Sequence, residues 1–298
     1  MSEAPSTAPG FRLGMILALT AAVGFASKAI FVKLAYRYPV DAITLLTLRL
    51  VLALPMFWLI KLARRDDGPP LAWRDRLWLI LLGLLGYYLS SLFDFLGLVT
   101  VSASLERLIL FLYPTFTVLF SAWFAKTPIT RRVGGALVLS YLGMLLVLVP
   151  DLRNAHAAWS GILLVFLSTV SYALYLTWSP AVIARIGAMR FTEGALTISA
   201  VAMVTHFLVT HPVSALAVPT PVWIYAAVIA LIATVFPIYA MAAAMARIGA
   251  PRAAIIGSIG PILTIFLGML VLDERLTPLQ WLGAAVVMAG VLRVSKKK

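Results

Sequence analysis

Residues 77–99 read LWLILLGLLGYYLSSLFDFLGLV, twenty-three positions with a single ionisable side chain, Asp94. At about 1.5 Å of rise per residue, a helix of this length spans about 30 Å of hydrocarbon. The run lacks the polar–apolar alternation of a barrel strand and is about twice as long as one. It therefore reads as a transmembrane helix with a carboxylate inside it. An ionised group near the bilayer centre costs about 2.5–3.5 kcal/mol on insertion scales, so it needs a partner or a wet cavity.

Nine further apolar runs flank this one: Leu13–Tyr36, Ala42–Ile60, Ala103–Phe124, Val133–Val149, Ser160–Trp178, Phe191–Val209, Pro221–Ala246, Ala253–Leu272 and Leu279–Val294. The pattern predicts an all-α polytopic membrane protein with ten transmembrane helices. Composition agrees: of 298 residues, 62% are hydrophobic and 12% charged, with a mean hydropathy of +1.02. Soluble domains are about 45–50% apolar and about 25% charged, so most of this surface must face lipid.

The formal net charge is +13. Its distribution orients the chain. Seventeen Lys and Arg fall on the N-tail, the C-tail and the 2–3, 4–5, 6–7 and 8–9 loops; Arg37, Arg153 and Arg275 fall on the opposite loops. Positive charge stays on the cytoplasmic side, which predicts that both termini are cytoplasmic and that the chain is a multi-pass protein of a cell inner membrane. The basic residues form no stripe on a polar face, so nucleic acid is not an expected partner. There are no cysteines, which excludes disulfides, zinc-thiolate sites, iron–sulfur clusters and thiol nucleophiles. His156, His206 and His211 are isolated. No metal or cofactor is expected. Residues 1–10 read as a disordered tail rather than a signal peptide, and 295–298 as a basic tail.

The halves 11–150 and 151–294 resemble each other at an offset of 147: Gly14 with Gly161, Pro114 with Pro261, Thr130 with Thr277, Gly143 with Gly290. Ten spans divide as five plus five. Five is odd, so the second unit enters the membrane from the opposite face, giving an inverted repeat with a solute site expected at its interface. Pro114 and Pro261 should bend spans 4 and 9.

Two stretches carry a family resemblance. One is Gly260–Val291, GPILTIFLGMLVLDERLTPLQWLGAAVVMAGV; the other is Ala42–Leu54, AITLLTLRLVLAL, with an arginine inside span 2. Both resemble the EamA-type branch of the drug/metabolite transporter superfamily, over almost the whole chain. The resemblance implies ten spans in two five-helix units and secondary transport of a small metabolite, often amino-acid-like and often outward. The first repeat departs from the second: Lys126 and Thr127 stand where the second has Asp273 and Glu274.

Glu193 and Arg293 fall in the terminal turns of their spans and count as end residues; six other charged residues lie within the spans, all in the first half: Lys28, Lys33, Arg49, Asp94, Glu106 and Arg107. With the N-terminus inside, all six occupy the extracellular half of the membrane. Lys33 is near a helix end and should snorkel to the interface, whereas Lys28 is too deep to do so. Arg107 sits near the start of span 4 and Arg49 is a candidate partner for Asp94 or Glu106. Tyr87, Ser91 and Asp94 share a helical face, as do Glu106, Tyr113 and Thr117. Ser27 lies beside Lys28, and Tyr172 and Tyr175 lie on a polar stripe of span 6. The candidate cavity is thus Lys28, Arg49, Asp94, Glu106, Arg107, Ser27, Tyr87, Ser91, Tyr113, Tyr172 and Tyr175.

Four cations against two anions point to a carboxylate- or phosphate-bearing solute, or a zwitterion such as an amino acid, meeting Lys28 or Arg49. Asp94 and Glu106 are candidates for a proton-coupling site or for the substrate amine. The expected function is secondary transport, outward by the resemblance, by alternating access in a chain complete as a monomer. The alternatives are a non-transporting receptor or scaffold, a passive channel, or a membrane-embedded enzyme; the chain lacks the motifs an enzyme or an ATP-driven pump would need.

Overall fold

A computed structural model describes residues 9–64, 70–124, 126, 131–152 and 158–295. The expected tails at 1–8 and 296–298 lie outside these, although Pro9 and Gly10, assigned to the tail from sequence, already belong to the first helix. The described residues contain helices and no strand. The helices are α1 (Pro9–Ala35), α2 (Ala42–Arg64), α3 (Trp73–Leu98), α4 (Ala103–Leu110), α5 (Tyr113–Phe124), α6 (Arg131–Leu152), α7 (Ala158–Ile186), α8 (Ala188–Thr210), α9 (Thr220–Ile248), α10 (Ala250–Gly257), α11 (Gly260–Leu272) and α12 (Pro278–Ser295).

Among the described residues, seven helical rods are long and apolar enough to cross a membrane: α1, α2, α3, the α4–α5 pair, α7, α8 and α9. The remaining expected spans fall on shorter apolar helices, Leu137–Val147 within α6, Gly260–Leu272, and Pro278–Gly290 within α12. Large apolar side chains point outward all round the bundle, among them Ile16, Leu59, Leu163, Leu208, Leu270 and Leu282, each more than half exposed. Such a surface is stable only in lipid.

The two halves break at the same places. A π-helical turn interrupts α3 at Leu84–Leu89 and α9 at Leu231–Val235, and these turns start 147 residues apart. The α4–α5 rod breaks between Leu110 and Tyr113, and α10–α11 breaks between Gly257 and Gly260, again 147 apart. Pro114 and Pro261 sit in the first turns of α5 and α11, where a missing N–H is tolerated. The prolines therefore start half-helices rather than bend continuous ones. Lys126 and Asp273, at the same offset, are the described non-glycine residues with left-handed φ, +51° and +57°. The repeat is thus carried by backbone irregularities that side-chain identity barely records.

The units interlock. From the first half, α1 packs on α9 and α11, α2 on α8 and α9, α3 on α7, and α6 along α12. Glycine allows the closest approaches. A Cβ at Gly24 would lie 2.6 Å from the Ile232 carbonyl oxygen, and one at Gly143 would lie 2.6 Å from the Val287 nitrogen. Leu45, Leu46, Phe57 and Phe95 from the first half and Met203 and Ile229 from the second share one buried core.

Candidate functional site

Lys28 projects from the C-terminal third of α1 toward α3 and α4. Its ammonium donates to Asp94 Oδ2 at 2.5 Å and to Glu106 Oε1 at 3.1 Å. The Glu106 side chain is fully buried, and that of Lys28 is 16% exposed. Asp94 Oδ1 and Glu106 Oε2 are buried without a hydrogen-bond partner among the described residues. Three helices of the first unit are thereby tied by one ammonium. The same α1 is held to the second unit by Thr264, whose hydroxyl donates to the Ala26 carbonyl at 3.0 Å.

Arg49 of α2 supplies the second cation. Its Nε donates to Thr234 Oγ1 at 3.1 Å and its guanidinium carbon lies 5.4 Å from the Phe95 ring centre. Thr234 sits in the π turn of α9 and donates in turn to the Ile229 carbonyl, five residues back. Arg49 lies within electrostatic reach of Asp94 but forms no ion pair with either acid among the described residues. Arg107 lies likewise within reach of Glu106, so the cluster formally sets three cations, Lys28, Arg49 and Arg107, against two acids.

The four expected tyrosines meet. Tyr87 and Tyr175 pack edge-to-face with ring centres 5.4 Å apart and hydroxyls 3.3 Å apart. Tyr172 stacks on Tyr175 at 5.6 Å, and Tyr113 packs edge-on against Tyr172 at 5.3 Å. They form an aromatic wall between α3, α5 and α7, on a different face from Asp94. The π turn explains the separation: its extra residue per turn rotates the downstream part of α3 by about 100° relative to an unbroken α-helix. Hence Ser90, not Ser91, faces α7, where it meets Ser168 in a bond donated by Ser168 Oγ to the Ser90 carbonyl at 2.7 Å. Ser91 is half-buried, and Ser27 uses its hydroxyl on the Gly24 carbonyl of its own helix.

Lys33 does not snorkel. Its ammonium donates to the Leu98 and Val101 carbonyls, each at 3.1 Å, capping the C-terminus of α3 where a cation is favoured. Glu193, expected at a span end, is buried within α8 at 5% exposure. A cavity of about 270 Å³, walled by apolar side chains such as Leu112, Met144 and Phe166, has no residue of the acid–lysine triad in its lining.

Two contacts were not foreseen. Asp273 takes the left-handed turn after α11, and the following Glu274 N–H bonds the Gly268 carbonyl at 3.1 Å. This swings the Glu274 carboxylate onto the start of α4, where it accepts from Ala103 N at 2.7 Å, Ser104 N at 3.0 Å and Ser104 Oγ at 2.6 Å. A carboxylate of the second unit thus caps a helix of the first. In the loop before α2, Asp41 accepts from the amides of Ile43 and Thr44 and from the Thr44 hydroxyl. Burial raises its pKa, but those bonds and His211, 3.5 Å away, outweigh it and hold the carboxyl below its ordinary 3.8.

These features define a polytopic membrane protein of two related, interlocked helical units around a buried charged cluster. The profile of the EamA-like transporter family matches the chain twice, at residues 12–149 and 159–296. The chain belongs to that family. It is 35% identical over 294 residues to the uncharacterized transporter YcbK of Bacillus subtilis (strain 168), covering 96% of this chain and 93% of that one. It is 25% identical over 287 residues to an uncharacterized transporter of Archaeoglobus fulgidus, covering 95% and 99%. A solved protein structure of 17% identity superposes with a TM-score of 0.64 over 95% of this chain and 97% of that one, a likeness of fold.

Proposed function

We propose that the chain is a secondary active carrier that exports a small, carboxylate-bearing or amino-acid-like metabolite across a cell inner membrane. Its ten spans form two oppositely threaded units with both termini inside, and they alternate access by rocking one unit against the other. The observation that carries this reading is the Lys28–Asp94–Glu106 triad, buried on a helix that is itself seated in the second unit. Ionised groups at such depth are costly and belong to pathways. The repeated π turns and half-helix breaks support it, because irregular backbone at membrane depth is tolerated where it borders a cavity or packed protein.

Proton coupling follows from the shared ammonium. A proton on Glu106 removes one of the two partners of Lys28, loosening α1 from α4 while the Asp94 contact remains. Release of one carboxylate then frees α1 to shift relative to α4.

The test is flux. The purified chain is reconstituted into proteoliposomes loaded with a metabolite extract, and an outward gradient is driven by an imposed pH difference. Saturable uphill movement of a metabolite, lost in Glu106→Gln, is expected. Flux that runs only downhill, without saturation, would instead identify a passive channel.

A further inference from the structure

Of the six charged residues within the spans, five are accounted for. Lys28 binds Asp94 and Glu106, Arg49 binds Thr234, and Lys33 caps carbonyls. Arg107 lies within electrostatic range of Glu106 but has no direct partner among the described residues. Its Nε is buried with no hydrogen-bond partner, and it enters no ion pair among the described residues. It follows Glu106 on α4, so it points about 100° away from the triad. There it meets the start of α11 in the other unit: a Cβ built on Gly260 would lie 2.8 Å from Arg107 Nη2. Its charge lies within electrostatic range of the hydroxyls of Tyr113 and Tyr172. Neither hydroxyl is engaged in a hydrogen bond among the described residues.

Arg107 is half-buried, and its guanidinium donates to no protein acceptor among the described residues, so its fork is available to an anion. Its planar fork matches a carboxylate in two parallel bonds, and the two tyrosine hydroxyls are donors for the oxygens' remaining lone pairs. We propose that Arg107 anchors the single carboxylate of the transported solute, at the seam between the two units, with Gly260 leaving room for the guanidinium and Tyr113 and Tyr172 walling the solute. This deepens the carrier reading and rests on it. Lys28, Arg49 and Arg107 against Asp94 and Glu106 leave one formal positive charge in excess, which matches one carboxylate; a phosphate, at about −1.5 to −2, leaves negative charge in excess. Lys28 and Arg49, the anchors expected from sequence, are already committed to partners.

The experiment uses the purified full chain in detergent and reads thermal shift and calorimetric affinity. The probes are monocarboxylates of graded size, each beside its primary amide, with inorganic phosphate as a separate arm. At least one carboxylate binds the wild type while its amide does not. Arg107→Ala and Gly260→Ala each weaken that binding tenfold or more, and Arg107→Lys gives an intermediate loss. Without probe, Arg107→Ala unfolds at the wild-type temperature or above it, since it breaks no direct contact and removes the cluster's excess positive charge; a residue with a merely structural role would lower it. Gly260→Ala keeps the fold because the atom it displaces is the flexible end of a side chain. Failure of every carboxylate to bind the wild type, unchanged affinity in Arg107→Ala, or preference for phosphate overturns the assignment. Uphill flux that survives in Arg107→Ala removes the anchor and leaves the carrier standing. Carboxylate binding through Arg107 with no uphill flux does the reverse.

Discussion

Glu274→Gln isolates the contact that joins the α11–α12 turn to the start of α4. The carboxylate accepts three bonds, two of them from backbone N–H groups on different oxygens. A glutamine has one acceptor oxygen, so one backbone donor is left facing an NH₂ group. An unsatisfied buried donor costs about 1–3 kcal/mol, and loss of the charge at a helix N-terminus adds about 0.3–1 kcal/mol. The contact should weaken by about 1.3–4 kcal/mol, which shifts a two-state equilibrium roughly 8- to 700-fold. The chain contains no cysteine, so Thr100→Cys and Arg275→Cys, both at exposed positions, can carry spin labels without further engineering. The variant should broaden the distance distribution between these labels toward longer separations and lower the unfolding temperature. If both the distribution and the melting temperature match the wild type, to within about 0.5 kcal/mol, the capping argument is wrong.

Lys28→Ala strands two buried carboxylates and should destabilise the chain by about 3–5 kcal/mol; adding Asp94→Asn and Glu106→Gln should restore most of the melting temperature without restoring flux. Gly86→Ala drives a Cβ into the Tyr175 ring and should cost about 1–3 kcal/mol in thermal unfolding as the tyrosine wall is displaced. Gly143→Val drives side-chain atoms into the backbone of α12 and should lower the melting temperature, whereas Gly135→Ala, with nothing within 4 Å of the added carbon, should not. Asp41 has a folded-state pKa below its ordinary value, so its contribution is full above that ordinary value and is lost as pH falls through the lower one; melting temperature should fall below about pH 4, and Asp41→Asn should flatten that limb.

The spans and the charged cluster are legible in the sequence because hydrocarbon leaves few choices. A run of twenty apolar residues must be helical, and an ionised side chain inside one must have a reason. The choice of partner is not legible. Lys28 reaches both acids because α1, α3 and α4 converge, which depends on packing across the whole bundle. Arg49 is a natural partner for Asp94 or Glu106, yet its hydrogen bond goes to Thr234, an ordinary-looking threonine 185 residues away whose position is set by a π turn. No local propensity announces such a turn, so the shared face drawn through Tyr87, Ser91 and Asp94 is out of phase. Lys33 turns inward instead of snorkelling because backbone carbonyls at a helix end leave no mark in sequence. Glu274 stands in a recognisable acidic pair, but its reach to Ala103 needs the left-handed turn at Asp273.

The seating of α1 against α9 and α11 has a consequence for how the molecule is made. The first helix to leave the ribosome finds its groove only after the ninth and eleventh have been synthesised, so the N-terminal half must wait, exposed, for the C-terminal half. A chain cut between Leu152 and Ala158 should yield fragments that are degraded when produced separately and mutually protected when produced together. Protection only on joint production would mean that the duplication recorded in the matching breaks no longer leaves either half able to stand alone.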